Sequence, residues 1–217
     1  MLRVDLDRQL HHLHQEVVLL AGNVEKAVTR AVQALKDRDL EESQQVVLED
    51  DLIDRKRYEI EDLCIDLIAT QQPMARDLRA IIALLHITVE LERMGDYAEG
   101  IAKISILMGD QPPLKPLIDI PIMADKATDM LRESIDALVD RDVIKANKVM
   151  RDDDVVDALY DQVYRDLLLY MIQDPHNIER ATYLLWTAHD LERIADRATN
   201  IAERVIYLVT GKMVESS

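Results

Sequence analysis

The chain has 217 residues, of which 26 are basic and 42 acidic, giving a formal net charge of −16. Five Gly, six Pro, seven Tyr, one Trp and no Phe supply too few turn residues and aromatic strand formers for a β-sandwich or barrel, and 48% hydrophobic residues exclude a disordered chain. The acidity works against nucleic acid and anionic membrane surfaces, which need clustered Lys and Arg, and is compatible with cations and basic protein surfaces.

Helical periodicity predicts a first helix over residues 5–37. Residues 1–7 have neither the basic start nor the apolar run of a signal peptide, so a cytoplasmic protein is expected. His11, His12 and His14 should lie exposed near the helix start. A second helix is expected over 40–70, with Asp39 as N-cap and Glu42 completing a capping box. Its single cysteine, Cys64, sits among Ile60, Leu63, Leu67 and Ile68, which predicts a buried, inert thiol and fits a reducing compartment.

Gln71-Gln72-Pro73 leads into a third helix over 74–108. There Ile87, Leu91, Met94, Ala98, Ile101, Ser105 and Met108 recur in steps of four and three, the seam of a left-handed bundle. The longest apolar stretch, near 80–91, contains His86 and Glu90 and is too short to span a bilayer. Pro112, Pro113, Pro116 and Pro121 then mark a linker, since Pro breaks helix interiors. Three further helices follow at 121–140, 143–173 and 176–210, and Gly109 and Gly211 suit helix C-termini.

The second set of helices repeats the first. Leu35 to Leu40 matches Leu138 to Val143, and Asp50 to Asp54 matches Asp153 to Asp157, both shifted by 103; Leu91 to Ala102 matches Leu191 to Ala202 with seven identities in twelve positions. This is an internal duplication. The fold class is all-α: two tandem homologous three-helix bundles, residues 1–109 and 121–217, joined by a Pro-rich linker at 110–120.

Carboxylates flank the apolar stripes at helical spacing. They are Asp50, Asp54 and Glu61 on the second helix; Glu92, Asp96 and Glu99 on the third; Asp153 and Asp157 on the fifth; and Glu192, Asp196 and Glu203 on the sixth. If the second and third helices of a repeat face each other, two acid-x-x-x-Asp pairs surround one space. Carboxylates held beside apolar packing need a counter-charge, and Mg²⁺, Mn²⁺, iron or Zn²⁺ would supply it. The bland alternative is a solvated acidic face, with Arg93 and Arg193 pairing to it. No E-x-x-H, H-E-x-x-H, phosphate-loop or nucleophile-elbow motif is present, and no nucleophile–base pair can be named, so an enzyme is not expected. Met94, Met108, Met123, Met130 and Met171 fit core filling.

Leu91-Glu92-Arg93-Met94-Gly95-Asp96 and Leu191-Glu192-Arg193-Ile194-Ala195-Asp196, with the lead-in Gln72 to Arg79, resemble the paired signatures of the PhoU family over residues 5–212. The resemblance implies a cytoplasmic accessory regulator of phosphate uptake and of the phosphate-starvation response. It would act beside the phosphate ABC transporter ATPase and a sensor histidine kinase, with six helices in two bundles and often as a homodimer. It also implies iron or zinc clusters, whose ligands would fall on Asp50, Asp54, Glu92 and Asp96, and on Asp153, Asp157, Glu192 and Asp196. Ala195 replaces the signature glycine, Thr199 stands opposite Glu99, and Tyr164 opposite Glu61, so the two centres would differ. A metal-dependent phosphohydrolase-like enzyme and a metal-free helical scaffold stay open as alternatives.

Overall fold

The structure is a computed structural model and describes residues 2–212. These form α1 (Leu2–Asp37), α2 (Leu40–Gln71), α3 (Arg76–Met108), α4 (Asp119–Asp140), α5 (Val143–Gln173) and α6 (Ile178–Thr210), with a 3₁₀ turn at Pro175–Asn177 and no strand among the described residues. The expected all-α fold of two three-helix bundles is present, one built from α1–α3 and the other from α4–α6.

Local chemistry sets the helix ends. The Asp39 carboxylate accepts the Glu42 N–H at 2.9 Å, but the reciprocal half of the expected capping box is missing. Glu42 instead pairs with Arg30 of α1, and the Asp39 N–H donates to the Ala34 carbonyl. Asp142 caps α5 by accepting from the N–H groups of Ile144 and Lys145 at 2.8 and 3.1 Å. Asp142→Ala should lower stability by about 1 kcal/mol, read as a lower urea midpoint; an unchanged midpoint would show the cap to be replaced by water.

Several boundaries move from their expected places. α1 already runs from Leu2. α3 starts at Arg76 because Ala75 takes a positive φ of 48°. α6 starts at Ile178 because Asp174 accepts the His176 N–H at 3.0 Å and opens the 3₁₀ turn first. α4 begins at Asp119, which puts Pro121 in the first turn, where a missing N–H has no helical partner to lose. Gly109 and Gly211 terminate α3 and α6 at positive φ, as expected.

Burial repeats with the sequence. α2 buries a narrow stripe of Ser43, Val46, Ile53, Ile60, Cys64 and Leu67. α5 buries Ala146, Val149, Val156, Val163 and Leu167, five of those six positions shifted by 103, with Tyr170 only partly buried opposite Leu67. α3 and α6 are buried far more fully because each packs within its own bundle and against the other. Glu90 of α3 accepts from Arg197 and Asn200 of α6 at 3.2 and 3.1 Å. Ten residues later, Gly100 lies against Asp190, whose Oδ2 would stand 3.0 Å from a Cβ on that glycine. Numbers rise along α3 as they fall along α6, so the two helices run antiparallel about a pseudo-twofold axis. One hydrophobic core joins both bundles. The buried Ser43 hydroxyl donates to that of Ser105 at 2.9 Å, leaving no unmet polar group there.

No helix among the described residues is long and apolar enough to cross a membrane. Cys64 is buried, and burial with Glu61 nearby pushes its thiol up to about 12, which makes it a poor ligand and nucleophile. His11 and His12 are exposed as expected, but His14 is half-buried. Burial, then Arg141 and His11, lower its pKa.

Candidate metal centre

The α2 stripe advances in steps of three and four, and the same rhythm calls for residues in the seam at positions 50 and 57. Those slots hold Asp50 and Arg57, and in α5 they hold Asp153 and Tyr160. A carboxylate therefore occupies a core-facing position in each bundle. Burial pushes Asp50 up to about 7, and the nearby charges of Glu99, Asp54 and Asp96 push in the same direction. Burial raises Asp153 to about 7 as well, with Asp157, Asp196 and Glu192 adding to it.

In the first bundle Asp50, Asp54 and Asp96 each offer an oxygen within 4.8 Å of the others. Asp50 and Asp54 are half-buried and Asp96 is exposed. None of the three forms an ion pair among the described residues, and Asp96 too is raised by burial, then by Asp54 and Glu99. Gly95 permits this approach. A Cβ there would meet Ile53 Cγ2 at 3.0 Å and Asp50 Oδ1 at 3.3 Å, so a branched side chain would wedge α2 from α3.

The other two expected ligands of this bundle are already engaged. Glu92 lies 3.9 Å from Arg57, which also bridges to Glu61 at 2.8 Å. Glu99 pairs with Lys103 at 2.5 Å. Sequence reasoning missed Arg57, although a guanidinium in a seam slot of α2 was a readable signal. Its Nε is buried without a hydrogen-bond partner, so Glu92 and Glu61 carry its compensation.

The second bundle is arranged differently. Asp196 accepts from Arg193 Nη1 at 2.8 Å, and Asp157 is exposed. Asp153 Oδ1 and Glu192 Oε2 are buried with no hydrogen-bond partner; His189 lies 3.5 Å from Glu192, beyond a good hydrogen bond. Burial and Asp196 raise Glu192, and burial and Asp196 raise Asp157. Among the described residues only the Asp50–Asp54–Asp96 set brings three such groups so close. Glu203 lies elsewhere along α6 with no part in this set.

A cation fits both places on chemical grounds. Buried carboxylate oxygens without donors are costly, and like charges crowded in a seam raise that cost. Outside Asp50 lies a cavity of about 170 Å³, lined on α1 by Asn23, Lys26 and Arg30. At the matched positions of α4 stand Lys126, Asp129 and Glu133, beside a cavity of about 250 Å³. At two of these three positions the sign of the charge is reversed.

The PhoU domain model matches residues 17–105 and 120–205. The phosphate-specific transport system accessory protein PhoU homolog of Aquifex aeolicus is 41% identical over 210 residues, covering 97% of this chain and 95% of the relative. The protein of the same name from Clostridium acetobutylicum is 37% identical, covering 99% of both. The crystal structure of PhoU from Pseudomonas aeruginosa superimposes with a TM-score of 0.91 at 35% identity, over 95% of this chain and 99% of that one. That of the phosphate transport system regulatory protein PhoU from Streptococcus pneumoniae gives a TM-score of 0.90 at 29% identity, over 97% of this chain and 100% of that one.

Proposed function

The chain belongs to the PhoU family, and from that premise we propose that it regulates inorganic phosphate uptake and the phosphate-starvation response in the cytoplasm. It acts by contact with the phosphate ABC transporter ATPase and with a sensor histidine kinase, as a homodimer and without chemistry of its own. The names of its relatives as accessory and regulatory proteins support this reading, as does their coverage of nearly the whole chain.

The same proposal gives each bundle a cation centre. Its main support is the uncompensated set Asp50, Asp54 and Asp96. Asp50, Asp54 and Asp96 would hold the first ion, with Glu92 and Glu99 at its edge. Asp153, Asp157, Glu192 and Asp196 would hold the second. A bound cation would supply the missing counter-charge and tie α2 to α3 and α5 to α6. Every donor is a carboxylate oxygen, a set that favours iron, manganese or magnesium over zinc.

Two measurements test this. Deleting the gene should derepress starvation genes while phosphate is plentiful; unchanged uptake and expression would sink the regulatory reading. Protein purified without chelator should carry bound metal by elemental analysis, and an Asp54→Asn/Asp96→Asn variant should lose the share held by the first bundle. Equal, negligible metal in both proteins would leave the acids as a solvated face.

A further inference from the structure

The two repeats neutralise their carboxylates differently, and Arg193 is where they part. Its guanidinium donates to Asp196 at 2.8 Å. The Tyr97 phenol of α3 lies beside it, and the charges of Asp196 and Glu192 favour its cationic form. The matched residue Arg93 is exposed and makes no ion pair among the described residues. An exchange across the α3–α6 contact accounts for the difference. Tyr97 sets a phenol beside Arg193, whereas the position matched to Tyr97 is Arg197, a second guanidinium, which turns to Glu90 at 3.2 Å. The second bundle also has Tyr160 where the first has Arg57, so no arginine on α5 holds Glu192 and its buried Oε2 is left without a donor.

Resting on the reading of both bundles as cation centres, we propose that Arg193 is a built-in counter-cation of the second centre, bound to Asp196 until a metal ion displaces it. None of the three close carboxylates of the first centre is held by a guanidinium; Arg57 lies only against Glu92 at its edge, at 3.9 Å. The second must break the Arg193–Asp196 pair before Asp196 can ligate. The second centre therefore binds the same ion more weakly and fills after the first.

The test is titration of metal-free protein with Mn²⁺, following free Mn²⁺ by electron paramagnetic resonance. Wild type should show two classes of site at least tenfold apart. Asp54→Asn should remove the tight class and Asp157→Asn the weak one. Arg193→Gln should tighten the weak class at least fivefold while leaving the tight class within twofold. Tyr97→Phe, which removes only the hydroxyl beside Arg193, should shift the weak class the same way by a smaller factor, and it carries the test if Arg193→Gln does not fold. Classes of equal affinity in wild type, or a weak class unmoved by both variants, would overturn the inference and leave the metal reading standing. Absence of Mn²⁺ binding altogether would overturn both.

Discussion

Metal-free protein is expected to become more stable as the pH falls from 8 to 5. Asp50 and Asp153 titrate in the folded chain near 7, raised from 3.8. Folding therefore binds protons in this interval, and stability must rise on acidification. The gain begins as the pH drops through about 7 and is complete near the unfolded value of about 4. Both groups are half exposed, so solvent screening reduces the contribution to about 1–2 kcal/mol each. Carboxylates held low by a cation, such as Glu49 beside Arg30, act the opposite way, but only as the pH falls below their ordinary range near 4.5. A saturating metal should flatten or reverse the trend, because protons then compete with the ion for the same oxygens. Melting temperatures across this pH range, with chelator and with excess Mn²⁺, provide the check. A chelated protein that loses stability between pH 8 and 5 would contradict the burial of these two aspartates.

Gly95→Val should be the most damaging single change at the first centre. The contacts of 3.0 Å to Ile53 and 3.3 Å to Asp50 leave no room for a branched side chain, and overpacking of this kind costs about 1–3 kcal/mol. The wedge would also spread the three aspartates, so the tight metal class should vanish while the second centre keeps its ion. Denaturant unfolding and metal titration read the two effects separately. Gly95→Ala should do much less, since the second repeat carries Ala195 at the matched place. If Gly95→Val retains the tight class, the close approach of α2 and α3 is not what forms it.

The architecture was readable because its signals lie within single helices. The shift of 103 between repeats, the seam from Ile87 to Met108 and the cap Asp39 all depend on spacing along one segment. The missed boundaries share a different cause. Ala75 adopts a strained φ, and Asp174 opens a 3₁₀ turn, choices made by the connecting turns and invisible to periodicity. At the candidate site, spacing named Asp50, Asp54 and Asp96 correctly as neighbours, but it treated Glu92 and Asp196 as equally available. Their arginines reach them in different ways: Arg57 crosses from α2 to α3, and Arg193, one turn from Asp196 on α6, lies beside Tyr97 of the other bundle. His14 is a case of the same kind: it is half-buried, in a cavity it shares with Arg141 at the end of α4. Pairings between helices are not written in the period of either one.

The rims of the two cavities bear on how the molecule can be gripped. Lys26 and Arg30 stand outside Asp50, whereas Asp129 and Glu133 hold the matching places in the other half. A perfectly doubled frame would offer any binder two interchangeable handles and no sense of direction. Here one handle has been recoloured. Arg30 is held by Glu42 and Glu49, and Glu133 by Lys148, so a half-turn of this molecule changes the pattern of ion pairs a binder meets, and the duplication retains its scaffold while losing its ambidexterity. A binder that reads these side chains would find the two halves distinguishable, so its orientation on the molecule is set by which half it meets.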